Sequence, residues 1–421
     1  MVDKEEALAA NRKAQGKIQV FSKVRVSSRS ELSTYYTPGI AYVSEEIKKD
    51  VAKVYEYTSK PNLIAIVSDG TRILGLGDIG PEAGLPVMEG KAILFKRFGG
   101  VDAVPLCIST KDEEEIVKFV KQIRPTFGAV NIEDIESPKC FSIVDRLSAE
   151  LDIPIFHDDQ YGTAIVVLAA LINASKLAGK KLQSLKVVMN GAGAAGVGIS
   201  KLLHHAGIKD VIVVDTNGII YHGRQEHMNK LKEELAQISN PEGMRGSLSD
   251  AVKGADVLIG ASKAGAFTSE MIKSMADKPI VFALANPVPE IDYAAAKAAG
   301  AFVAATGRSD TPNQVNNLLA FPAVMRGLLE ARAKRVTQDM LISAAKAMAK
   351  VIGSKLDAEH ILPDILDKRY AIKLATTVAA AVAEAAVSSG DARVNVDAED
   401  VKRRTKESLV AYARMEKRFA I

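Results

Sequence analysis

The hydrophobic and polar positions of the chain follow two alternating periods from about residue 91 to residue 320. Short apolar runs of strand length are separated by longer runs in which apolar side chains recur with the helical period. Strands that alternate with helices in this way are typical of parallel sheets covered by helices on both faces. Because such sheets bind ligands at the carboxyl ends of their strands, the pattern also predicts where functional side chains should lie.

The first alternating unit precedes residue 160. Its expected strands are residues 102–109, 127–132 and 153–156, and its expected helices are residues 91–98, 111–123 and 137–150. Thr110 is the predicted cap of the second helix, because Glu113 stands three residues later, as in a capping box. A long apolar helix is expected to begin at Thr163 and to end at Gly179.

A second alternating unit and a helical tail follow. The candidate strands are residues 185–189, 211–214, 257–259, 280–284 and 302–305, and the pattern is mostly helical after Pro322. We predict an α/β fold with two doubly wound domains, the second a Rossmann-like dinucleotide-binding domain, and a helical C-terminal segment. The predicted bounds are 1–160, 161–320 and 321–421, with the last segment packing back on the first two domains.

Composition adds a cellular context. The chain has 421 residues, 48% of them hydrophobic and 25% charged, which is ordinary for a globular protein. Its formal net charge of +4 is too weak and too dispersed to indicate nucleic-acid binding. The N-terminal sequence lacks the apolar core of a signal peptide, and the apolar run from Ala164 to Ala174 is shorter than a membrane span. We therefore expect a cytoplasmic protein, not bound to a membrane, whose Cys107 and Cys140 are buried and reduced.

Two stretches match the pattern G-x-G-x-x-G, and their contexts differ. One stretch holds Gly75, Gly77 and Gly80, and the other holds Gly191, Gly193 and Gly196. The first stretch runs into Pro81, with Pro86 close behind, and prolines do not fit a helix that enters from a phosphate loop. We interpret the first stretch as a shaped loop of the first domain and not as a dinucleotide site.

The second stretch has the parts of a dinucleotide-binding fingerprint. It follows the strand LKVVMN and opens a helix, and the next strand, DVIVVD, ends in Asp215, 19 residues beyond Gly196. Glycines permit the tight turn and the close approach of a pyrophosphate to the helix N-terminus. The expected cofactor contacts are Gly191, Ala192, Gly193, Ala194, Ala195, Gly196 and Asp215.

The identity of the dinucleotide depends on Asp215. A carboxylate there can hydrogen-bond an adenosine ribose and would repel a 2′-phosphate, which favours NAD over NADP. Arg224 and Lys230 lie downstream and weaken that preference, so NADP stays an alternative. A flavin or another nucleotide on the same fold, or a purely structural turn, are the other readings of the fingerprint.

Two pairs of acidic residues stand at predicted strand ends, Glu133-Asp134 and Asp158-Asp159. Neighbouring side chains of a strand point to opposite faces, so both members of a pair reach one ligand only where the strand stops. Four carboxylates at one sheet edge would repel one another strongly without a cation, and oxygen ligands suit Mg²⁺ or Mn²⁺. The alternative is that the pairs cap helices. His157 is expected to be a core histidine with satisfied ring nitrogens.

Three further residues are candidates for catalysis and substrate binding. Lys91 stands at a loop-to-helix junction, and a cation nearby would lower its pKa so that it acts as a base. Tyr36, held by the Pro-Gly turn that follows it, is a candidate general acid, whereas Tyr35 is expected to serve packing. Arg72 is a candidate bidentate clamp for a substrate carboxylate. The alternatives are a solvated lysine and a surface salt bridge.

Eight segments, taken in order, resemble the motifs of the malic enzyme family in its short prokaryotic-type form. They are YTPG at 36–39, ILGLGDIG at 73–80, VMEGKAILFK at 87–96, NIEDI at 131–135, HDDQYGTA at 157–164, GAGAAG at 191–196, FALANPVPE at 282–290 and ATGRSD…NQVNN at 305–317. The resemblance covers nearly the whole chain, from about Lys17 into the C-terminal helices. One such segment would be a weak signal, but eight in order are specific.

The resemblance implies an enzyme that converts malate to pyruvate and CO₂ with NAD(P) and a divalent metal. It implies that Lys91 is the base, that Asp158 orients Lys91, and that Tyr36 is the acid that protonates the enolate. The implied metal ligands are Glu133, Asp134 and Asp159.

The resemblance also implies that Asn286 and Asn317 lie at the substrate and nicotinamide end, although the role of Asn317 is not separable from that of Asn316 by sequence. It implies a homodimer, and we hypothesise that Tyr36 serves the site of the neighbouring subunit. The rival functions are a malolactic enzyme that releases lactate, a metal-free amino-acid dehydrogenase, and an NAD-binding regulator without catalysis.

Overall fold

The structure is a computed structural model that describes residues 3–419. Four short helices come first: α1 Lys4–Ala14, α2 Arg29–Tyr35, α3 Gly39–Lys49 and α4 Val54–Tyr57. The next elements are β1 Leu63–Ser68, α5 Pro81–Gly99, β2 Asp102–Cys107, α6 Glu113–Ile123, β3 Ala129–Ile132, α7 Lys139–Glu150, β4 Ile155–His157 and α8 Asp158–Ala178.

The second half begins with β5 Val187–Asn190, α9 Ala194–His205, β6 Val211–Asp215, β7 Gly218–Ile219, α10 Lys230–Ile238 and α11 Leu248–Val252. It continues with β8 Val257–Gly260, α12 Ser269–Lys273, β9 Ile280–Ala283, α13 Tyr293–Ala298 and β10 Val303–Thr306. The last helices are α14 Phe321–Glu330, α15 Gln338–Val351, α16 Lys368–Ser388 and α17 Ala398–Phe419.

The strands form two sheets, as the alternating pattern predicted. The first is parallel throughout, with the order β2-β1-β3-β4. The second has the order β10-β9-β8-β5-β6-β7 and is parallel except for β7, which pairs antiparallel with β6. The predicted α/β class with a Rossmann-like second sheet and a helical C-terminus is therefore confirmed. Strands β1 and β7 were not predicted.

Three predicted helix starts were wrong. Helix α5 begins at Pro81 and not at Lys91, because proline needs no backbone partner in a first helical turn, and the helix also accommodates Pro86. Helix α8 begins five residues before Thr163. Helix α6 is capped by Asp112, whose carboxylate accepts a hydrogen bond from the amide of Glu115, and not by Thr110.

The stretch with Gly75, Gly77 and Gly80 is a loop at the carboxyl end of β1, as predicted. Its ends meet where the carbonyl of Gly70 accepts hydrogen bonds from the amides of Ile79, at 3.1 Å, and Gly80, at 3.3 Å. Helix α5 nevertheless starts directly after this loop and contains both Pro81 and Pro86. The prolines therefore do not distinguish this loop from a phosphate loop.

Helix α8 is the structural link between the two sheets. It packs against α9 of the second sheet and against α15, and most of its side chains are buried. By length and composition alone, α8 and α16 are both long and apolar enough to cross a membrane. In α8, 72% of the most apolar window is buried inside the protein, as in a core helix.

The C-terminal helices are attached to α5 by a buried arginine. The guanidinium of Arg326 donates to the carbonyl of Gly99 at 2.9 Å and to that of Gly100 at 2.7 Å. Glu330 lies 3.3 Å from the same guanidinium and also pairs with Arg404 at 2.7 Å. These bonds satisfy the free carbonyls at the end of α5, which is where a helix requires partners.

The N-terminal segment contrasts with the rest of the described chain. Helices α1 to α4 have no buried residue, although they carry many large apolar side chains. The segment touches α5 through Lys17, whose amide donates to the Glu89 carboxylate at 3.1 Å. Such an exposed apolar surface is characteristic of an interaction site.

Candidate active site

The register of the first sheet brings the two acidic pairs together. Ile132 of β3 lies opposite His157 of β4, so the residues that follow them, Glu133 and Asp158, leave the sheet side by side. The amide of Glu133 still donates to the carbonyl of Val67 at 2.9 Å, which holds it at the sheet edge. The pairs therefore meet at the carboxyl edge, where parallel sheets bind ligands.

Each pair turns toward the site by a different device. Asp134 adopts a positive φ of 51°, and its carbonyl accepts a hydrogen bond from the amide of Arg72 at 3.0 Å. Asp158 and Asp159 form the first turn of α8 and so lie at the positive end of its dipole. Both residues were predicted at a strand end, but they already belong to the helix.

Lys91 of α5 lies among these carboxylates. Its Nζ is 2.7 Å from Oε1 of Glu133 and also donates to Oδ2 of Asp158. The ring of Phe321, at the start of α14, covers the same ammonium group at 4.3 Å from the ring centroid. Only 12% of the Lys91 side chain is exposed, so this lysine is not a solvated surface group.

Glu133, Asp134 and Asp159 form the group best suited to a cation. One carboxylate oxygen from each lies within 4.8 Å of the others. Three oxygen donors with no sulfur or nitrogen fit Mg²⁺ or Mn²⁺ in both chemistry and charge. The residues present are therefore consistent with a divalent metal site.

The carboxylates repel one another, and their pKa values reflect it. Burial, then repulsion from Glu133 and Asp159, raises the pKa of Asp134 to about 9. Burial raises the pKa of Glu133 to about 7, although Lys91 opposes the change. The pKa of Asp159 is lowered, because His157 and Lys91 together outweigh the effect of its burial. Negative charge in excess of the single ammonium is the expected environment of a cation site.

The pKa of Lys91 moves opposite to the sequence expectation, which assumed a cation nearby. Burial on its own lowers the pKa, but attraction to Asp158 and Glu133 outweighs burial, and the net pKa is raised. The protein groups alone thus hold Lys91 as an ammonium ion. The base role predicted for it would require positive charge to be brought to the same carboxylates.

Several buried polar atoms at the site have no partner among the described residues. They include Oδ1 of Asp158 and both ring nitrogens of His157. His157 is a core residue, as predicted, but its ring nitrogens are not satisfied within the described chain, and the Asp159 carboxylate lies 3.7 Å from Nε2. Asn131, which sequence reasoning missed, donates to Oε2 of Glu133 at 2.7 Å. The signal for it was available, because Asn131 and Glu133 share strand parity.

The structure distinguishes the surroundings of Asn316 from those of Asn317, which the sequence could not do. The side chain of Asn316 caps a short 3₁₀ turn by accepting from the amide of Leu318 at 2.9 Å. The Asn317 side chain has no such bond within residues 3–419, and it lies against Gly162, one turn along α8 from Asp158. A β-carbon at Gly162 would lie 1.9 Å from Oδ1 of Asp158, so only glycine allows this approach. Asn317 is therefore the one free to meet a ligand.

Asn286 lies beyond the end of β9, on an exposed loop. Its amide group packs against Gly307 of the strand-end loop after β10. The next residue, Pro287, approaches Gly75 of the first domain, where a β-carbon would lie 3.2 Å from its Cδ. The Asn286 loop thus spans the cleft between the two sheets.

Two predicted site residues have no fixed partner in this chain. The Arg72 side chain is exposed and makes no ion pair or hydrogen bond within residues 3–419. Tyr36 ends α2 with 68% of its surface exposed, and no hydrogen bond links it to Lys91 or to the carboxylates in the described chain. Tyr35 is also exposed, so its predicted packing role is not fulfilled within one subunit.

The dinucleotide fingerprint has the required geometry. Gly191 follows β5 with a φ of 122°, and a β-carbon there would lie 2.4 Å from the carbonyl oxygen of Ala261. A β-carbon at Gly196 would lie 1.9 Å from the carbonyl oxygen of Gly191, so the turn cannot tolerate larger residues. Gly193 caps α9, which begins at Ala194 and presents free amides for a phosphate.

Asp215 is not a free carboxylate. It pairs with Arg224 at 3.1 Å and with Lys232 at 2.7 Å, and it accepts a hydrogen bond from the Asn217 amide at 2.8 Å. These bonds outweigh its burial and hold the pKa of Asp215 below its usual range. The sequence named Arg224 correctly as a neighbour, but the second one is Lys232, whereas the predicted Lys230 is exposed.

Comparisons with known proteins give one family for both halves of the chain. Residues 15–148 match the malic enzyme N-terminal domain and residues 160–387 the malic enzyme NAD-binding domain. The chain is 52% identical to a bifunctional malic/malolactic enzyme of Bacillus subtilis, over 97% of this chain and 98% of that protein. It is 51% identical to an NAD-dependent malic enzyme of Geobacillus stearothermophilus, over 90% of this chain and 78% of that one.

Comparison with solved structures gives the same family. A malic enzyme from Pyrococcus horikoshii superimposes with a TM-score of 0.91 at 48% identity, covering 94% of this chain and 93% of that one. Other relatives bear the name NADP-dependent malic enzyme.

Asp159→Asn should weaken Mn²⁺ binding at least about tenfold, because it replaces a charged oxygen donor by a neutral one. Isothermal titration calorimetry without substrate measures this directly. Asp145→Asn is the matched control, since Asp145 is exposed on α7 and has no ion pair within residues 3–419. Equal affinity of the two variants would rule out a cation site at Asp159.

Proposed function

The chain belongs to the malic enzyme family, and we propose that it oxidises malate with NAD(P) in a metal-dependent reaction that yields pyruvate and CO₂. The observation that carries the proposal is the position of Lys91, which contacts Glu133 and Asp158 at the sheet edge that also holds three clustered carboxylate oxygens. The reaction also requires a hydride acceptor, and the dinucleotide fingerprint on the neighbouring sheet provides a site for one.

Lys91 is the proposed base. In its amine form, Nζ takes the proton of the C2 hydroxyl, and a nicotinamide held at the fingerprint would supply the acceptor for the C2 hydride. Asp158 accepts a hydrogen bond from Nζ and so stabilises the ammonium that results. The same bond keeps Nζ directed at the site. Phe321 shields the ammonium from water on the other side.

Glu133, Asp134 and Asp159 are the proposed metal ligands, with Asn131 fixing the orientation of Glu133. When bound, the cation supplies Lewis-acid stabilisation of the enolate that forms as the C4 carboxylate leaves as CO₂. Arg72 and Asn317 are the proposed substrate contacts, and Asn286 and Asn317 the contacts at the nicotinamide end. Tyr36 then delivers a proton to C3 of the enolate, which completes pyruvate.

A malolactic reaction is the second candidate, because the relative of 52% identity is named a bifunctional malic/malolactic enzyme. In that reaction the hydride returns to pyruvate before release, so lactate leaves and free NADH does not accumulate. An amino-acid dehydrogenase is disfavoured by the carboxylate cluster, for which metal-free chemistry has no use. A regulator without catalysis is disfavoured by the buried Lys91–Asp158 pair.

Purified protein should form NADH and pyruvate from malate with Mn²⁺ and none with EDTA, and Mn²⁺ added back should restore the activity. The reason is that the clustered carboxylates need a cation before the substrate enolate is stabilised. Absorbance at the NADH band and assays of pyruvate and lactate are the measurements. Lactate without free NADH would assign the malolactic reaction instead. Activity that survives EDTA would contradict the assignment of Glu133, Asp134 and Asp159 as metal ligands.

We further propose a homodimer in the cytoplasm, with an active site shared between subunits. The support is the N-terminal segment, whose apolar side chains and Tyr36 are exposed in a single chain. A phenol acts as a general acid only when it is held against the reacting carbon. A second copy that covers this segment would both bury the apolar surface and fix Tyr36 at the neighbouring Lys91.

Mixed dimers test the shared site. Tyr36→Phe and Lys91→Ala subunits with different tags should each be inactive alone, and doubly purified mixed dimers should regain about half of wild-type activity, because one of the two sites is then intact. Mixed dimers that form but stay inactive would show that both residues serve a site in the same subunit. Tyr35→Phe mixed with Lys91→Ala provides the matched control, since Tyr35 is not assigned a role in the chemistry.

The proposed cofactor is NAD, with NADP accepted more weakly. Asp215 has the position of a ribose-binding carboxylate, but Arg224 and Lys232 already compensate its charge and leave one positive charge in excess. Repulsion of a 2′-phosphate is thereby reduced.

Lys232→Ala should raise the preference for NAD over NADP about tenfold, because it removes a positive charge beside the ribose carboxylate. The ratio of kcat/KM for the two cofactors is the measurement. Lys230→Ala, two residues away and exposed, should leave the ratio unchanged. A ratio that falls in the Lys232 variant would mean that Lys232 serves the ribose of NAD and not the phosphate of NADP.

A further inference from the structure

Glu290 is a fully buried carboxylate that the proposed chemistry does not use. It lies seven residues after the end of β9, with 0% of its surface exposed. Oε1 accepts hydrogen bonds from the amide of Ser262 at 2.8 Å and from its hydroxyl at 3.1 Å. Oε2 accepts from the amide of Ala285 at 3.0 Å. All of these donors are neutral, and no cationic side chain pairs with the carboxylate within residues 3–419.

The donors belong to loops that matter for the site. Ser262 follows β8, and its hydroxyl also accepts a hydrogen bond from the side chain of Asn190 at 2.9 Å. Asn190 is the last residue of β5, directly before the fingerprint glycine Gly191. Ala285 directly precedes Asn286. A chain of three side chains therefore joins the end of β5, the loop after β8 and the loop after β9.

Close packing makes this chain of contacts stiff. Gly191 rests on the carbonyl oxygen of Ala261, the neighbour of Ser262, with no space for a β-carbon. At Gly260 a β-carbon would lie 2.4 Å from Cδ of Glu290, so the carboxylate fills the space beside β8. The backbone of Glu290 also accepts from the amide of Phe267 at 3.1 Å. Movement of Glu290 would displace both the fingerprint turn and the Asn286 loop.

We propose that Glu290 is a positioning residue that couples dinucleotide binding at Gly191 to substrate binding at Asn286. The inference rests on the proposed function, because it takes Asn286 as a contact at the substrate and nicotinamide end. Glu290 sets the Asn286 loop, which reaches Gly75 of the first domain across the cleft. A dinucleotide seated on the fingerprint therefore finds this loop already in place for the substrate.

Glu290→Gln is the sharpest test, since it keeps the shape but introduces an amide group that donates. A carboxylate only accepts hydrogen bonds, and the amide and hydroxyl of Ser262 and the amide of Ala285 all donate to it. The nitrogen of the glutamine side chain must therefore face an N–H or O–H group. We expect the KM values for both NAD and malate to rise about tenfold, with a smaller loss in kcat. Ser262→Ala removes the connection to Asn190 and leaves Glu290 bonded to two amides, so it should raise the KM for NAD more than that for malate.

Glu330→Gln is the matched control. Glu330 has 10% of its side chain exposed, and it pairs with Arg326 and Arg404 among the C-terminal helices. It should lower the Tm without changing either KM. If Glu290→Gln lowers the Tm to the same extent and leaves both KM values unchanged, Glu290 is only structural and the inference is overturned.

NADH fluorescence titration separates this inference from the proposed function. The titration needs no turnover, and Glu290→Gln should weaken NADH binding about tenfold in it. Wild-type protein that binds NADH but does not oxidise malate would contradict the proposed function, and the Glu290 comparison would still be decided. Unchanged NADH affinity in a folded Glu290→Gln variant would contradict the coupling. If that variant does not fold, Ser262→Ala must weaken NADH binding, or the coupling is wrong.

Discussion

The concentration of negative charge at one sheet edge is the constraint on which the rest of the site depends. Glu133, Asp134, Asp158 and Asp159 lie around the single ammonium of Lys91, and the first three are buried from the water that would screen them. The fold offsets part of the repulsion with the N-terminus of α8 and with the amide of Asn131. The remaining charge fits a divalent cation, so the feature that destabilises the carboxylates also favours the metal binding proposed for them.

Helix α8 transmits this arrangement to the dinucleotide sheet. Its first turn carries Asp158 and Asp159, and in the same turn the carbonyl oxygen of Gln160 would lie 2.5 Å from a β-carbon at Gly198 of α9. Because α9 starts in the fingerprint, the helix that presents the carboxylates and the helix that faces a pyrophosphate are in direct backbone contact. The two ligand sites therefore share one rigid unit, to which the contacts of Glu290 also attach the Asn286 loop.

The sequence was sufficient where local patterns decide the structure. Two parallel sheets, the fingerprint at Gly191 and the acidic pairs followed from periodicity and from the rule that ligands collect at strand ends. It failed where a local signal was overridden, since Pro81 was read as a break and starts α5 instead. Lys232 was missed in favour of Lys230, because the loop between β6 and α10 decides which lysine returns to Asp215, and a loop path is not periodic.

Lys91 and Tyr36, the two groups proposed to handle protons, differ in what fixes them. Lys91 is held by Asp158, Glu133 and Phe321, all from its own chain, so its position is defined within one subunit. Tyr36 lies on a surface segment whose helices bury nothing, so the fold of one chain does not define its position. In the proposed reaction, oxidation at C2 would thus depend on the core, whereas protonation at C3 would depend on what covers the N-terminal segment. If a second copy covers it, assembly controls the last step of the reaction without altering the first.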